Sequence, residues 1–335
     1  MLARRPLALF VLLTALGGAP AAAEPPRHTE PPPDAAPRFV VYYNSKASPL
    51  AAAAETRFTH VILSFLGASA DAQGYHGLTP PPHIAGQWDD VETLHAAGKR
   101  VLISFGGGLM NETHYRHLAG HESELAREIA DFVTARGLDG IDLDFEASAM
   151  LHTERPPGIA DGRAFLVSLT HELRQRLPRP RYTISHAPQA PYLDPDWHGG
   201  PYLDVLAKAG DAIDWISVQY YNNPRYDAPV AHNIVGRGAT PPATSYRGLT
   251  DPAGQLGWSS DKVLVGLPVY KADAANGHLV PHEVARDILR PLLDAYGMRF
   301  GGLMGWQFST LTADHRAWNA GLGGLLPLSR DADTR

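Results

Sequence analysis

The chain has 335 residues, 44% of them apolar and 19% charged, enough for one large domain or two small ones with a sizeable core. Its net charge of −6 gives no basis for binding nucleic acid or an anionic membrane, and a neutral substrate fits better. With no cysteine, disulfides, thiolate metal sites, thiol nucleophiles and lipid attachment to cysteine are excluded, and the 16 histidines form no HExxH or other cluster with metal-ligand spacing, so no metal is expected.

The N-terminus reads as an export signal. Arg4 and Arg5 precede an apolar run from Leu7 to Leu16, and Ala21-Ala22-Ala23 supplies an A-x-A cleavage site before Glu24. The run is shorter than the roughly 20 apolar residues that a spanning helix needs. Residues 24–37, EPPRHTEPPPDAAP, are too Pro-rich to bury a core and read as an extended linker. The folded part is expected over 38–325, with a tail over 326–335. The protein is expected to be secreted or periplasmic, with no membrane contact after cleavage.

From Arg38 onward, short runs rich in Val, Ile, Phe and Tyr alternate with longer amphipathic stretches. The predicted strands are 38–44, 59–67, 100–108, 137–146, 181–188, 213–223, 262–270 and 302–309. Short helices are expected near 49–57 and 88–97. The clearest helix is 121–137, with Leu125, Ile129, Phe132 and Val133 on one face and Gly137 at its C-terminal end. Helices over 161–177 and 281–297 are similar. Eight strand–helix units suggest an α/β fold, a (β/α)8 TIM barrel of one domain. No Gly-rich nucleotide loop follows the first strand, which argues against an open doubly wound sheet and its cofactors. Between the last two strands there is room for a helix and short loops only, so no α+β insertion is expected there.

The stretch LDGIDLDFEAS, 138–148, is the most informative. Residues two apart on a strand share a face and rise about 3.3 Å per residue. Asp142, Asp144 and Glu146 therefore share one face at increasing height, with Ile141, Leu143 and Phe145 on the other. In a barrel the acids point toward the axis and Glu146 stands at the rim. Like charges so close cannot all ionise freely, so at least one carboxyl pKa is raised and the set titrates as a coupled system. A raised carboxyl is what a general acid needs near neutral pH. Structural ion networks place cations among anions, and this stretch has none. A rigid strand also fails the D-x-D-x-D-G calcium loop.

These residues resemble a known family. DGIDLDFE matches the DGxDxDxE signature of glycoside hydrolase family 18, the chitinases. SFGG (104–107), APQAPYLD (187–194), VQYYNNP (218–224) and GGLMGWQ (301–307) are similar to motifs on its other strands, particularly in the hevamine-like and bacterial single-domain branch. The likeness runs from about Phe39 to about Leu322. It implies that Glu146 protonates the glycosidic oxygen and then activates water, and that Asp144 orients the substrate's 2-acetamido group and stabilises an oxazolinium. It implies that Asp142 shares a proton with Asp144 from below, and that the Tyr221 hydroxyl meets the acetamido oxygen. Tyr42 and Ser104 are implied to hydrogen-bond around Asp142, and Trp306 to floor the sugar site. Phe65, Gly106, Gly107, Gln189, Gln219 and Asn222 complete the implied substrate-binding set. Many chitinases carry Asp where Asn222 stands. Cis peptide bonds are implied at Ser64–Phe65 and Trp306–Gln307. Trp88, Trp197, Trp215, Trp258 and Trp318 read as packing or rim residues, and Tyr43 as barrel filling.

Geometry supports a nucleophile carried by the substrate. A retaining glycosidase with its own nucleophile needs two carboxyls about 5–5.5 Å apart on opposite sides of the bond. Asp144 and Glu146 rise from one wall, and only Asp273, after the seventh strand, offers an opposing carboxylate. The expected function is a monomeric chitinase that cleaves β-1,4 linkages between N-acetylglucosamine units with retention. Alternatives are an endo-β-N-acetylglucosaminidase on N-glycans and a non-catalytic chitin-binding relative.

Overall fold

The computed structural model describes residues 36–44, 47–71, 74–155, 157–227, 231–254 and 256–328. The export signal and most of the Pro-rich linker lie outside them. Nine strands form in chain order: β1 (Arg38–Tyr43), β2 (His60–Asp71), β3 (Gly74–Thr79), β4 (Arg100–Gly106), β5 (Gly140–Asp144), β6 (Thr183–His186), β7 (Trp215–Gln219), β8 (Val263–Pro268) and β9 (Gly302–Trp306). All but β3 pair in parallel in the ring β1-β2-β4-β5-β6-β7-β8-β9, and β9 pairs back onto β1. This is the (β/α)8 barrel that the eight strand–helix units predicted.

Helices α1 (Asp90–Ala96), α2 (Glu112–Leu118), α3 (Glu122–Ala135), α4 (Gly162–Arg176) and α5 (Pro201–Ala209) cover successive strands. The predicted apolar face of α3 is buried at Leu125, Ile129 and Val133, while Phe132 meets Trp88 at 5.7 Å on the outside. Asp161 caps α4 by accepting from the Arg163 N–H at 3.0 Å. Two cores result, as a closed sheet demands. The outer one joins strands to helices and takes in Ile141, Leu143 and Phe145. The inner one fills the barrel with Val40, Tyr42, Ile62, Leu102, Ala187, Trp215, Leu264 and Met304. The alternation read from the sequence thus divides the two cores.

Three elements depart from expectation. The segment near 49–57 is a short 3₁₀ helix, Leu50–Glu55, entered through Pro49. The second strand runs four residues past Gly67, to Asp71, and turns back as β3 in an antiparallel hairpin outside the barrel. Its composition, ASAD followed by GYHGLT, has Thr79 as its one β-branched residue, too little to have signalled it. The helical segment predicted over 281–297 contains a π turn, Val284–Leu289. Pro291 follows it, and a proline cannot donate to the regular ladder. No strand lies between β8 and β9 among the described residues, so that side of the mouth has no α+β wall. No described helix is long and apolar enough to cross a membrane.

Candidate active site

The acids of β5 project into the barrel at its C-terminal mouth. Asp142 is fully buried, Asp144 nearly so, and Glu146 half-buried at the rim. Asp142 is met by three hydroxyls. Tyr42 donates to its Oδ2 at 2.6 Å, Ser104 to Oδ2 at 2.7 Å and Ser185 to Oδ1 at 2.7 Å. Strand register accounts for two of these, because Ser104, Asp142 and Ser185 are direct partners on β4, β5 and β6. Burial raises the Asp142 pKa, and the three donors pull it back. Ser185 is the member of this cradle that sequence reasoning missed. Its inward position in TISH was the available signal.

The Asp144 carboxyl lies within hydrogen-bonding reach of Glu146 and also feels the charge of Asp142 below it. Gln219 fixes this arrangement, donating from Nε2 to Asp144 Oδ1 at 2.8 Å and to the Ala187 carbonyl at 2.8 Å. Burial, then the charges of Glu146 and Asp142, push the Asp144 pKa far above the usual carboxylate range. Burial also raises that of Glu146. The two carboxyls therefore titrate as a coupled pair, both displaced toward the protonated form.

Glycines bring backbone close to these acids. Gly106 sits at φ +116°, and a Cβ there would lie 2.1 Å from the Asp144 carbonyl oxygen. The Gly107 N–H donates to that same oxygen at 2.7 Å. The neighbouring SFGG turn therefore sets the height of Asp144, and a Cβ on Gly107 would meet the Phe65 ring at 2.8 Å. The Tyr221 hydroxyl has no hydrogen-bond partner among the described residues. Burial and then the charges of Asp144, Glu146 and Asp142 raise its pKa.

Across the mouth an aromatic floor forms. Trp306 stacks on Phe65 at 5.7 Å and meets Tyr42 edge-on at 5.7 Å. The peptide bonds Ser64–Phe65 and Trp306–Gln307 are cis. The Trp306 indole donates to the Asp273 carbonyl at 2.8 Å. Asp273 is thereby revealed as a support for the floor, a role its sequence position did not announce. Its carboxylate accepts from the Tyr270 N–H at 2.8 Å and lies 3.7 Å from His315 Nε2, so it is engaged by its own loop and by the segment after β9.

The Asp273 carboxyl carries a pH signature. Burial pushes its pKa up to about 6, against the pull of the Tyr270 and Gln307 amides. An unfolded Asp titrates near 3.9. The folded state therefore favours the protonated form, and stability is lost as pH rises from about 4 through about 6. Asp273→Asn is expected to raise Tm over wild type by an amount that grows across this window and levels off above it. Melting curves from pH 4 to 8 check this, and a pH-independent difference would remove Asp273 as the titrating group.

Three predicted sugar contacts are occupied otherwise. Asn222 has a left-handed backbone, φ 61°, and its Oδ1 accepts from the Ala275 N–H at 2.8 Å. It thus ties the end of β7 to the loop after β8. Gly277 of that loop lies so close that a Cβ would be 2.7 Å from Tyr221 Cα, which fixes the Tyr221 backbone. Gln189 Oε1 accepts from Asn223 at 3.3 Å. Gln219 serves Asp144, as described. Tyr43 belongs to the outer core and donates to the Ser48 carbonyl at 2.7 Å, so it is not barrel filling. Trp215 and Trp318 are fully buried, whereas Trp197 stands on the rim. No group of three or more potential metal ligands occurs among the described residues.

The family model described as Glycosyl hydrolases family 18 matches residues 38–310. The chain belongs to this family. A solved GH18 chitinase from Pseudoalteromonas aurantia superposes with a TM-score of 0.75 at 34% identity, covering 86% of this chain and 99% of that one. Endochitinase 2 of Coccidioides posadasii is 29% identical over 71% of this chain, which spans 26% of that protein's length. The xylanase and alpha-amylase inhibitor protein XAIP-II from Scadoxus multiflorus has the same fold, with a TM-score of 0.54 at 19% identity. It covers 86% of this chain and 96% of its own. The barrel alone therefore does not decide the activity, and the site residues must.

Proposed function

We propose that the chain is a secreted chitinase that hydrolyses β-1,4 linkages between N-acetylglucosamine units with retention, using the substrate's 2-acetamido oxygen as nucleophile. The carrying observation is the pairing of Asp144 with Glu146 on one wall, both carboxyls raised by burial, with an aromatic floor of Trp306 and Phe65 across the mouth. A protonated Glu146 at the rim serves as the acid for the glycosidic oxygen and then as the base for water. Asp144, once its proton passes to Glu146, accepts the acetamido N–H and balances the oxazolinium charge. The unpartnered Tyr221 hydroxyl donates to the acetamido oxygen, and Asp142 in its cradle keeps Asp144 from ionising early. Asp273 supplies no enzyme nucleophile, because its carboxylate is engaged by its own loop and by His315 after β9.

The chitinase names of the relatives support the substrate class. The missing wall between β8 and β9 leaves an open groove, which favours internal cleavage of a chain. Secretion rests on the sequence of residues 1–23 alone. The test is hydrolysis of chitohexaose with product anomers followed by NMR. Early β-anomer products are expected, and early α-anomer would overturn the retaining mechanism. A chain that releases a high-mannose glycan but leaves chitohexaose intact would overturn the substrate.

A further inference from the structure

The loops after β5 and β6 carry an aromatic group that the reaction so far leaves unused. His152 and His198 stack nearly parallel, 15° apart, at 4.1 Å between ring centroids. Trp197 is perpendicular to both, 4.6 Å from His198 and 5.6 Å from His152. These three distances place Trp197 beside the stack and not on its outer face. His198 is exposed, and the Thr153 N–H donates to its ring Nδ1 at 3.4 Å.

The group is built across two loops. Thr153 donates to the His198 carbonyl through Oγ1 at 3.1 Å, and Arg155 to the His152 carbonyl at 3.2 Å. Contacts run from it to the acid. Trp197 meets Tyr192 at 5.2 Å, the Tyr192 hydroxyl meets Ser148 Oγ at 2.6 Å, and the Ser148 N–H donates to the Glu146 carbonyl at 2.8 Å. In the ring of eight strands, β5 and β6 lie four places from β9 and β1, which carry Trp306 and Tyr42. A sugar chain seated on the Trp306 floor and extended across the mouth past Glu146 would run toward the loops after β5 and β6 that carry His152 and His198.

We infer that His198, backed by His152 and Trp197, is a binding platform for the sugar unit on the leaving-group side of the cleaved bond. The inference rests on the chitin-cleaving reading above. The apolar C–H face of a pyranose lies on the exposed imidazole ring, and the ring edges offer polar atoms to its hydroxyls. The same unit, arriving as an acceptor in place of water, would be held for transfer.

The test compares chitohexaose, which fills both sides of the site, with N,N′-diacetylchitobiose oxazoline, which has no leaving-group sugar. His198→Asn removes the ring while tolerating the left-handed backbone, φ 49° at this position. The ratio of kcat/KM for chitohexaose to that for the oxazoline is expected to fall about five-fold, equivalent to about 1 kcal/mol. His198→Tyr is expected to restore it, and transfer products at high chitohexaose are expected to fall with the ratio. A ratio unchanged by His198→Asn, including a parallel loss on both substrates as expected for a mere loop staple, overturns the platform. A wild-type chain that turns over neither substrate overturns the proposed function instead. The platform is then judged by chitohexaose affinity alone, and equal affinity in wild type and His198→Asn overturns it.

Discussion

Replacing Glu146 by Gln is expected to cut chitohexaose turnover about 10²- to 10⁴-fold, the range that a positioned general acid supplies, with oligomer binding and fold retained. The substitution keeps the shape and removes the transferable proton. It also keeps the contact with Asp144, since a side-chain amide can donate where the protonated carboxyl did. Space would not complicate the result. The nearest glycine, Gly108, would bring even a Cβ no closer than 3.3 Å to the Glu146 carboxyl. Steady-state rates together with calorimetric binding of chitohexaose check this. A variant that loses affinity in step with rate would show that Glu146 binds the ground state instead.

Asp144→Asn is expected to lower kcat about 10²- to 10³-fold with little change in KM, because a preorganised charge acts where charge develops in the transition state. The same change is expected to stabilise the fold. The Asp144 pKa lies far above its unfolded value through burial and the neighbouring acids, so the wild type pays in stability as pH rises toward that folded pKa. A neutral amide removes this penalty, and the Tm gain is expected to be larger at pH 8 than at pH 4. Kinetics and melting curves on one preparation check both. A variant that is slower and also less stable at pH 8 would show that Asp144 is held by its hydrogen bond to Gln219 and not strained by its neighbours.

Much of this was legible because period and burial coincide. Each alternate residue from Ile141 to Glu146 faces one of two unlike environments, so the pattern alone sorts helix-facing side chains from axis-facing ones. The eight apolar runs were visible for the same reason, each buried on both sides by the barrel. The hairpin of β2 and β3 was not visible, because the residues that touch the core, Ala68, Tyr75 and Leu78, are too scattered among Ala, Ser and Gly to make an alternating pattern. Ser185 was overlooked because a serine in a strand gains meaning only from its register partner, and register belongs to the closed ring. The pairing of Asp144 with Glu146 depends on how Gln219 holds Asp144 from two strands away. Asn222 was named as a substrate contact through the family resemblance, and the tie from its Oδ1 to the Ala275 N–H was not legible because it depends on where the loop after β8 lies.

The three hydroxyls around Asp142 come from β1, β4 and β6, and this has a consequence for how the chain assembles. A carboxyl left at the centre without its donors would cost several kcal/mol, so the group is at ease only when those strands and β5 are all in place. Tyr42 reaches across the axis, and β1 is held there by β9 at the far end of the chain. A ring left open between its first and last strands, or a fragment ending before β6, leaves this carboxyl poorly satisfied. The acid at the bottom of the site thus ties the two ends of the sequence to its middle, and it makes folding of the cylinder closer to all-or-none than strand pairing alone would.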